Sequence, residues 1–143
     1  MLLAHPKGGA RAAEFSPDGR YVAYASDETG RDEVYVQAFP SGTNWIASEG
    51  GGGQVRWSPN GHELFYVHDD ALVSVPIGTQ GTFSIGPPRV LFHNPNFQTS
   101  YDEPTYDVSP DGQRFAIIET LQNPVDKICV LSNTKNGLAD LRK

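Results

Sequence analysis

The chain has a single cysteine, Cys129, in 143 residues, so no disulfide can form within it. No apolar run approaches the roughly 20 residues that a membrane-spanning helix needs. The opening Met1-Leu2-Leu3-Ala4-His5-Pro6 is too short for the apolar segment of a signal peptide. Basic residues number 11 against 17 acidic ones, a net charge of −6, and they form no cluster. A duplex nucleic-acid partner is therefore not expected, because such proteins neutralise phosphates with basic patches. Helical periodicity is missing too, apart from a possible last turn over residues 138–143.

Chemical motifs are equally scarce. There is no Gly-x-Ser-x-Gly elbow and no kinase signature of the His-Arg-Asp or Asp-Phe-Gly kind. The glycine run at residues 50–53 lacks the Gly-Lys-Ser/Thr ending of a phosphate-binding loop, and reads as a flexible connection between units. The histidines His5, His62, His68 and His93 have no metal-ligand spacing. These absences predict no enzyme, no metal and no cofactor. Cys129 lies among apolar residues and reads as a core thiol.

What is plentiful is glycine (15) and proline (11), the composition of many short strands joined by tight turns. Phe15-Ser16-Pro17-Asp18-Gly19 recurs as Trp57-Ser58-Pro59-Asn60-Gly61 and as Val108-Ser109-Pro110-Asp111-Gly112. The prolines are 42 and then 51 residues apart, near the period of a four-stranded propeller blade. In each pentapeptide proline presets φ, Asp or Asn tolerates the next turn position, and Gly supplies positive φ. Apolar strands follow each turn, at residues 21–25, 64–67 and 115–118, and again at 33–37, 71–75 and 127–131. Fourth strands are expected at residues 45–47 and 89–92.

The fold expected is all-β: a propeller segment of about three four-stranded antiparallel blades, over residues 10–48, 53–92 and 104–132. The third repeat lacks an evident fourth strand, whereas Leu2-Leu3-Ala4 precedes the first. Strand exchange between termini would reconcile the two, with residues 2–4 of a partner completing the third blade.

Several segments carry a family resemblance. Ser16-Pro17-Asp18-Gly19 with its following strand, Ser26-Asp27-Glu28-Thr29-Gly30 and Glu33-Val34-Tyr35-Val36 resemble the TolB-like propeller repeat. More narrowly, residues 34–40, 50–58, 63–66 and 106–115 resemble the C-terminal sensor half of bacterial membrane-anchored serine/threonine kinases. The likeness runs from about residue 10 to residue 133. It implies a six-bladed propeller, a non-enzymatic role and an extracytoplasmic location. Kinase activity does not carry over, because the kinase motifs are missing.

Apolar residues occupy both faces of the first and last sheets: Tyr21, Ala23 and Ala25 oppose Val22 and Tyr24, and Phe115 and Ile117 oppose Ala116 and Ile118. A sheet with one wet face would alternate. Several hundred Å² left bare on each side would forfeit on the order of 10 kcal/mol per face, at roughly 25 cal/mol per Å². The sequence thus predicts a head-to-tail homodimer closing a six-bladed ring. The function expected is a non-catalytic binding or scaffold module that takes a protein or small ligand on its inter-blade loops. The alternative is the truncated regulatory part of a larger enzyme such as a receptor-like kinase. Candidate contact residues are Gln54, Phe97, Tyr101, Asp102 and Glu103, where aromatic and polar side chains mix on the loop end.

Overall fold

The structure, a computed structural model, describes residues 9–40, 42–95, 97, 105–119, 127–134 and 137–140, with the backbone alone at 118–119, 127–134 and 137–140. The first sheet runs β1 (Ala10–Phe15), β2 (Tyr21–Ser26), β3 (Glu33–Ala38) and β4 (Asn44–Ile46) in sequence order. The second comprises β5 (Gly53–Trp57), β6 (Glu63–His68) and β7 (Ala71–Gly78), with β8 (Ser84–Ile85) and β9 (Arg89–His93) pairing with different stretches of β7. The third comprises β10 (Tyr106–Val108), β11 (Arg114–Glu119), β12 (Lys127–Thr134) and β13 (Gly137–Asp140). Every pairing is antiparallel. Three successive meandering sheets are propeller blades.

The fourth strand of the third blade comes from the same chain. β13 folds back on β12, with Leu131 opposite Asp140 and Thr134 opposite Gly137. This corrects the expectation that residues 2–4 of a partner fill that place, and those residues lie outside the described ones. Closing a local hairpin sacrifices far less chain entropy than recruiting a strand from another molecule. Gly137-Leu138-Ala139-Asp140 carries no strand signal in the sequence because it has no β-branched residue, and its composition reads as a helical turn.

The three Ser-Pro-Asx-Gly turns share one wiring. In the first, Ser16 Oγ donates to Asp18 Oδ1 (2.7 Å), which also accepts from the Arg20 amide (3.0 Å). Ser16 Oγ in turn accepts from the Tyr21 amide at 3.1 Å. Ser58, Asn60, His62 and Glu63 repeat this pattern, and so do Ser109, Asp111, Gln113 and Arg114. The glycines take φ of +74°, +76° and +73°, the left-handed region that a Cβ disfavours. The first two inner strands each carry a bulge, with one extra residue at Ala12 (φ +54°) and Gln54 (φ +52°).

Packing between blades supplies the core. Val34 and Val36 of the first blade share a buried cluster with Val55, Leu64 and Tyr66 of the second, and Tyr21, Trp45 and Phe83 close its outer edge. Phe65 and Leu72 of the second blade meet Tyr106, Phe115 and Ile117 of the third. The outward face of the first sheet carries Phe15, Val22, Tyr24, Tyr35 and Ile46, which stand opposite one another in register. Its centre is buried within one chain, Tyr24 stacking on Tyr35 with ring centroids 5.5 Å apart. The expectation of a wholly bare face is therefore corrected. Only its ends are open, Phe15 at 54% and Ile46 at 55% exposure.

Candidate functional site

At the loop end of the blades, charged groups tie connectors to one another. Arg11 reaches Asp32 at 2.8 Å and Asp27 at 3.4 Å across the β2–β3 connector. Glu33 is buried and accepts from Arg31 Nε (2.8 Å), from Ser48 Oγ and from the Gly51 amide (3.1 Å). His68 Nδ1 lies 2.8 Å from the Gly51 carbonyl. The glycine run is thus an ordered and largely buried connection, correcting its reading as a flexible one. Glycine is required because a Cβ on Gly52 would stand 2.6 Å from the Tyr66 ring.

Two of the expected contact residues face inward. Gln54 is fully buried and donates through Nε2 to the Phe97 carbonyl at 3.2 Å. Its Oε1 accepts from the amide and hydroxyl of Thr105, and its own carbonyl accepts from the Tyr106 hydroxyl at 2.7 Å. Phe97 is 1% exposed and packs edge-on against Tyr106. Phe97 and Thr105 are thereby tied to the second blade, so neither the Gln54 nor the Phe97 side chain is on the surface where the sequence placed it. Burial also lifts the Tyr106 phenol well above its ordinary range. Tyr101, Asp102 and Glu103 lie outside the described residues.

The sequence reading missed a row of charges on the inner strands. β1 packs against β5, as first strands of neighbouring blades do around a central channel. On β1, β5 and β10 the residue before each Ser-Pro turn's opening apolar residue is charged: Glu14, Arg56 and Asp107. Arg56 Nη1 lies 4.0 Å from Glu14 Oε2, and both side chains are about one-third exposed. The Trp57 amide donates to Glu14 Oε1 (3.4 Å) and the Trp57 indole to the Glu14 carbonyl (3.1 Å). Burial raises the Glu14 carboxyl pKa, the Trp57 amide and Arg56 pull it back, and the Asp107 charge adds to the rise. Among the described residues, Arg56 Nε is buried without a hydrogen-bond partner. The signal was present in the sequence: a charge immediately before the apolar residue that opens each of the three Ser-Pro turns.

This Glu14–Arg56 pair lies across the first two blades, with the Asp107 charge felt at Glu14. It can bind a ligand carboxylate or carbonyl at Arg56 and amino or amide N–H groups at Glu14 and Asp107. Among the described residues, no group of three or more His, Cys, Asp or Glu side chains gathers as a metal site would.

Comparison with known proteins fits this architecture. Residues 6–119 match the family described as the prolyl oligopeptidase N-terminal β-propeller domain. No curated protein matches the chain. Among solved structures, an oligogalacturonate lyase from Vibrio parahaemolyticus superposes with a TM-score of 0.68 at 15% identity, over 98% of this chain and 42% of that one. An oligogalacturonate lyase in complex with manganese gives 0.63 at 16% identity, over 88% and 37%. A candidate 6-phosphogluconolactonase from Bacteroides fragilis NCTC 9343 gives 0.60 at 16% identity, over 99% and 40%. The chain spans about two-fifths of the length of these structures.

The expectation that the chain is no enzyme is overturned by these neighbours, since propellers of the same fold carry catalysis. The physical reason is plain. A ring gathers single residues from separate blades around one axis, so a catalytic set needs no local sequence motif.

Proposed function

Because the chain belongs to the prolyl oligopeptidase N-terminal β-propeller family, we propose that it forms half of a closed ring whose channel wall binds a short peptide. The observation that carries this reading is the row Glu14, Arg56 and Asp107 at matching positions of three inner strands, with Glu14 and Arg56 about one-third exposed. A peptide presents N–H donors and carboxylate or carbonyl acceptors at alternating positions, the complement of a minus–plus–minus wall. Two copies associating head to tail would bring three blades each to a six-bladed ring, within the usual range of 4–8. The narrower likeness to the sensor half of membrane-anchored kinases is compatible with the same role, since a sensor also reads a ligand.

The test is isothermal titration of the chain with the tetrapeptide Gly-Pro-Gly-Pro and, separately, with trigalacturonate. The peptide is expected to bind, and Arg56→Gln to weaken it at least about tenfold, or roughly 1.4 kcal/mol. Binding of the uronate alone, or peptide binding indifferent to Arg56→Gln, overturns the reading.

A further inference from the structure

The middle Ser-Pro turn differs from its neighbours in one group. Asp18 and Asp111 carry a carboxyl where Asn60 carries an amide, and glycine follows all three. An Asn-Gly step is chemically labile. The glycine amide nitrogen has no side chain beside it to shield it, so it can attack the asparagine Cγ. The attack forms an N–Cγ bond and breaks the Cγ–Nδ2 bond, and the amide proton leaves with Nδ2 as ammonia. Water then opens the resulting succinimide at either carbonyl, which leaves aspartate or isoaspartate. One water is consumed and one ammonia released, with no oxidant or reductant.

The folded turn holds both partners of that reaction. The Gly61 amide donates to the Ser58 carbonyl at 2.9 Å, which fixes the peptide plane carrying the nucleophile. Asn60 Oδ1 accepts from Ser58 Oγ at 2.8 Å and from the His62 amide at 2.9 Å, which fixes the carbonyl under attack. Ser58 is buried, and its Oγ also accepts from the Glu63 amide at 3.0 Å, so the clamp is tied to β6. Asn60 itself is exposed, within reach of water and base. Its chemistry is therefore restrained by wiring and not by burial.

We propose that Asn60 is a deamidation site gated by its turn, inert while the Ser58 bonds stand and converted when the turn opens. The two products differ in their fit. Aspartate suits the turn, because Asp18 and Asp111 make the same bonds in the flanking repeats. Isoaspartate does not, because it inserts a methylene into the backbone of the turn that Gly61 closes onto Ser58. Either product adds a negative charge to the cavity of about 270 Å³ that Asn60 shares with Asp18.

The test incubates the intact chain at mildly alkaline pH, with and without urea, and reads conversion of Asn60 by peptide mapping and mass spectrometry. Mapping separates Asn60 from the chain's other Asn-Gly pair, Asn136-Gly137. Conversion is expected to be at least about tenfold slower in the folded chain, the slowing being set by how rarely the turn opens. Ser58→Ala removes the clamp and is expected to speed conversion several-fold in buffer. Ser16→Ala removes the same clamp from the first turn, so it controls for general loss of stability and should leave Asn60 at its original rate. Asn60→Asp copies the normal product and should unfold at an unchanged urea midpoint. Equal rates with and without urea overturn the proposal, and so does an absence of conversion in both. Acceleration by Ser16→Ala as large as that by Ser58→Ala overturns the gating by this turn, and a lowered midpoint for Asn60→Asp overturns the fit of the aspartate product.

Discussion

Gln54 and Thr105 hold the same place in consecutive repeats, each three residues before the apolar residue that opens the Ser-Pro turn, and the first grips the second. Gln54 Oε1 accepts from the Thr105 amide at 2.7 Å and from its hydroxyl at 2.8 Å. Gln54→Ala leaves that amide without its acceptor in a partly buried setting, strands the buried Phe97 carbonyl, and keeps the unfavourable φ of +52°. The variant is expected to lose about 2–4 kcal/mol. Urea unfolding checks this, as a lower midpoint at unchanged slope.

Asp18 and Asn60 do the same work in successive turns, yet only Asp18 titrates. Its hydrogen bonds from Ser16 and then from the Arg20 amide lower its carboxyl to about 2, from 3.8 when free. A carboxyl with a lowered folded pKa stabilises the fold above its unfolded value, and that contribution disappears as pH falls from about 4 to about 2. Asp18→Asn copies the second turn and is expected to flatten the acid limb over that window. The group is exposed, so the effect is small. Chemical denaturation at several pH values between 5 and 2 measures it.

Gly52→Ala puts a methyl 2.6 Å from Tyr66 Cδ2 and 3.2 Å from Val34 Cγ2. Neither neighbour can retreat, because both belong to the buried cluster between the first two blades. A destabilisation of about 1–3 kcal/mol is expected. Gly9→Ala, where an added Cβ meets nothing within 4 Å among the described residues, is the matched control and should be near neutral.

Alkaline pH provides a fourth check. Burial pushes the Tyr24 phenol up to about 12 and raises the Tyr106 phenol well above its ordinary value. A group whose folded pKa is raised gives its full stability below the unfolded value of about 10 and loses it as pH rises through the folded one. Stability should therefore fall between pH 10 and 12, and the phenolate absorbance of these two residues should appear only with unfolding. Tyr106→Phe should remove part of that slope.

The propeller was legible because its punctuation is local. A Ser-Pro-Asx-Gly turn is wired within six residues, so it marks each blade whatever surrounds it. The strands after it announce themselves by two-sided apolarity, which a stack of sheets requires. Three features were not legible, for separate reasons. β13 is short, and its pairing with β12 gives it the form that its composition withholds. The inward turn of Gln54 depends on a backbone bulge, which inverts the side chain relative to strict alternation. The row of Glu14, Arg56 and Asp107 is invisible residue by residue. It emerges only when three repeats are aligned and placed around one axis.

The inner-strand bulges also limit how this protein can be re-engineered. Ala12 and Asp18 are six residues apart, and so are Gln54 and Asn60. That block contains the slip in alternation as well as the turn that follows it. A blade transplanted with its cut inside the block would arrive half a pleat out of phase, its greasy side chains aimed at the channel and its charges aimed at the neighbouring sheet. Interchangeable units must be cut upstream of Ala12 or Gln54, in the connector, where the chain can absorb the join.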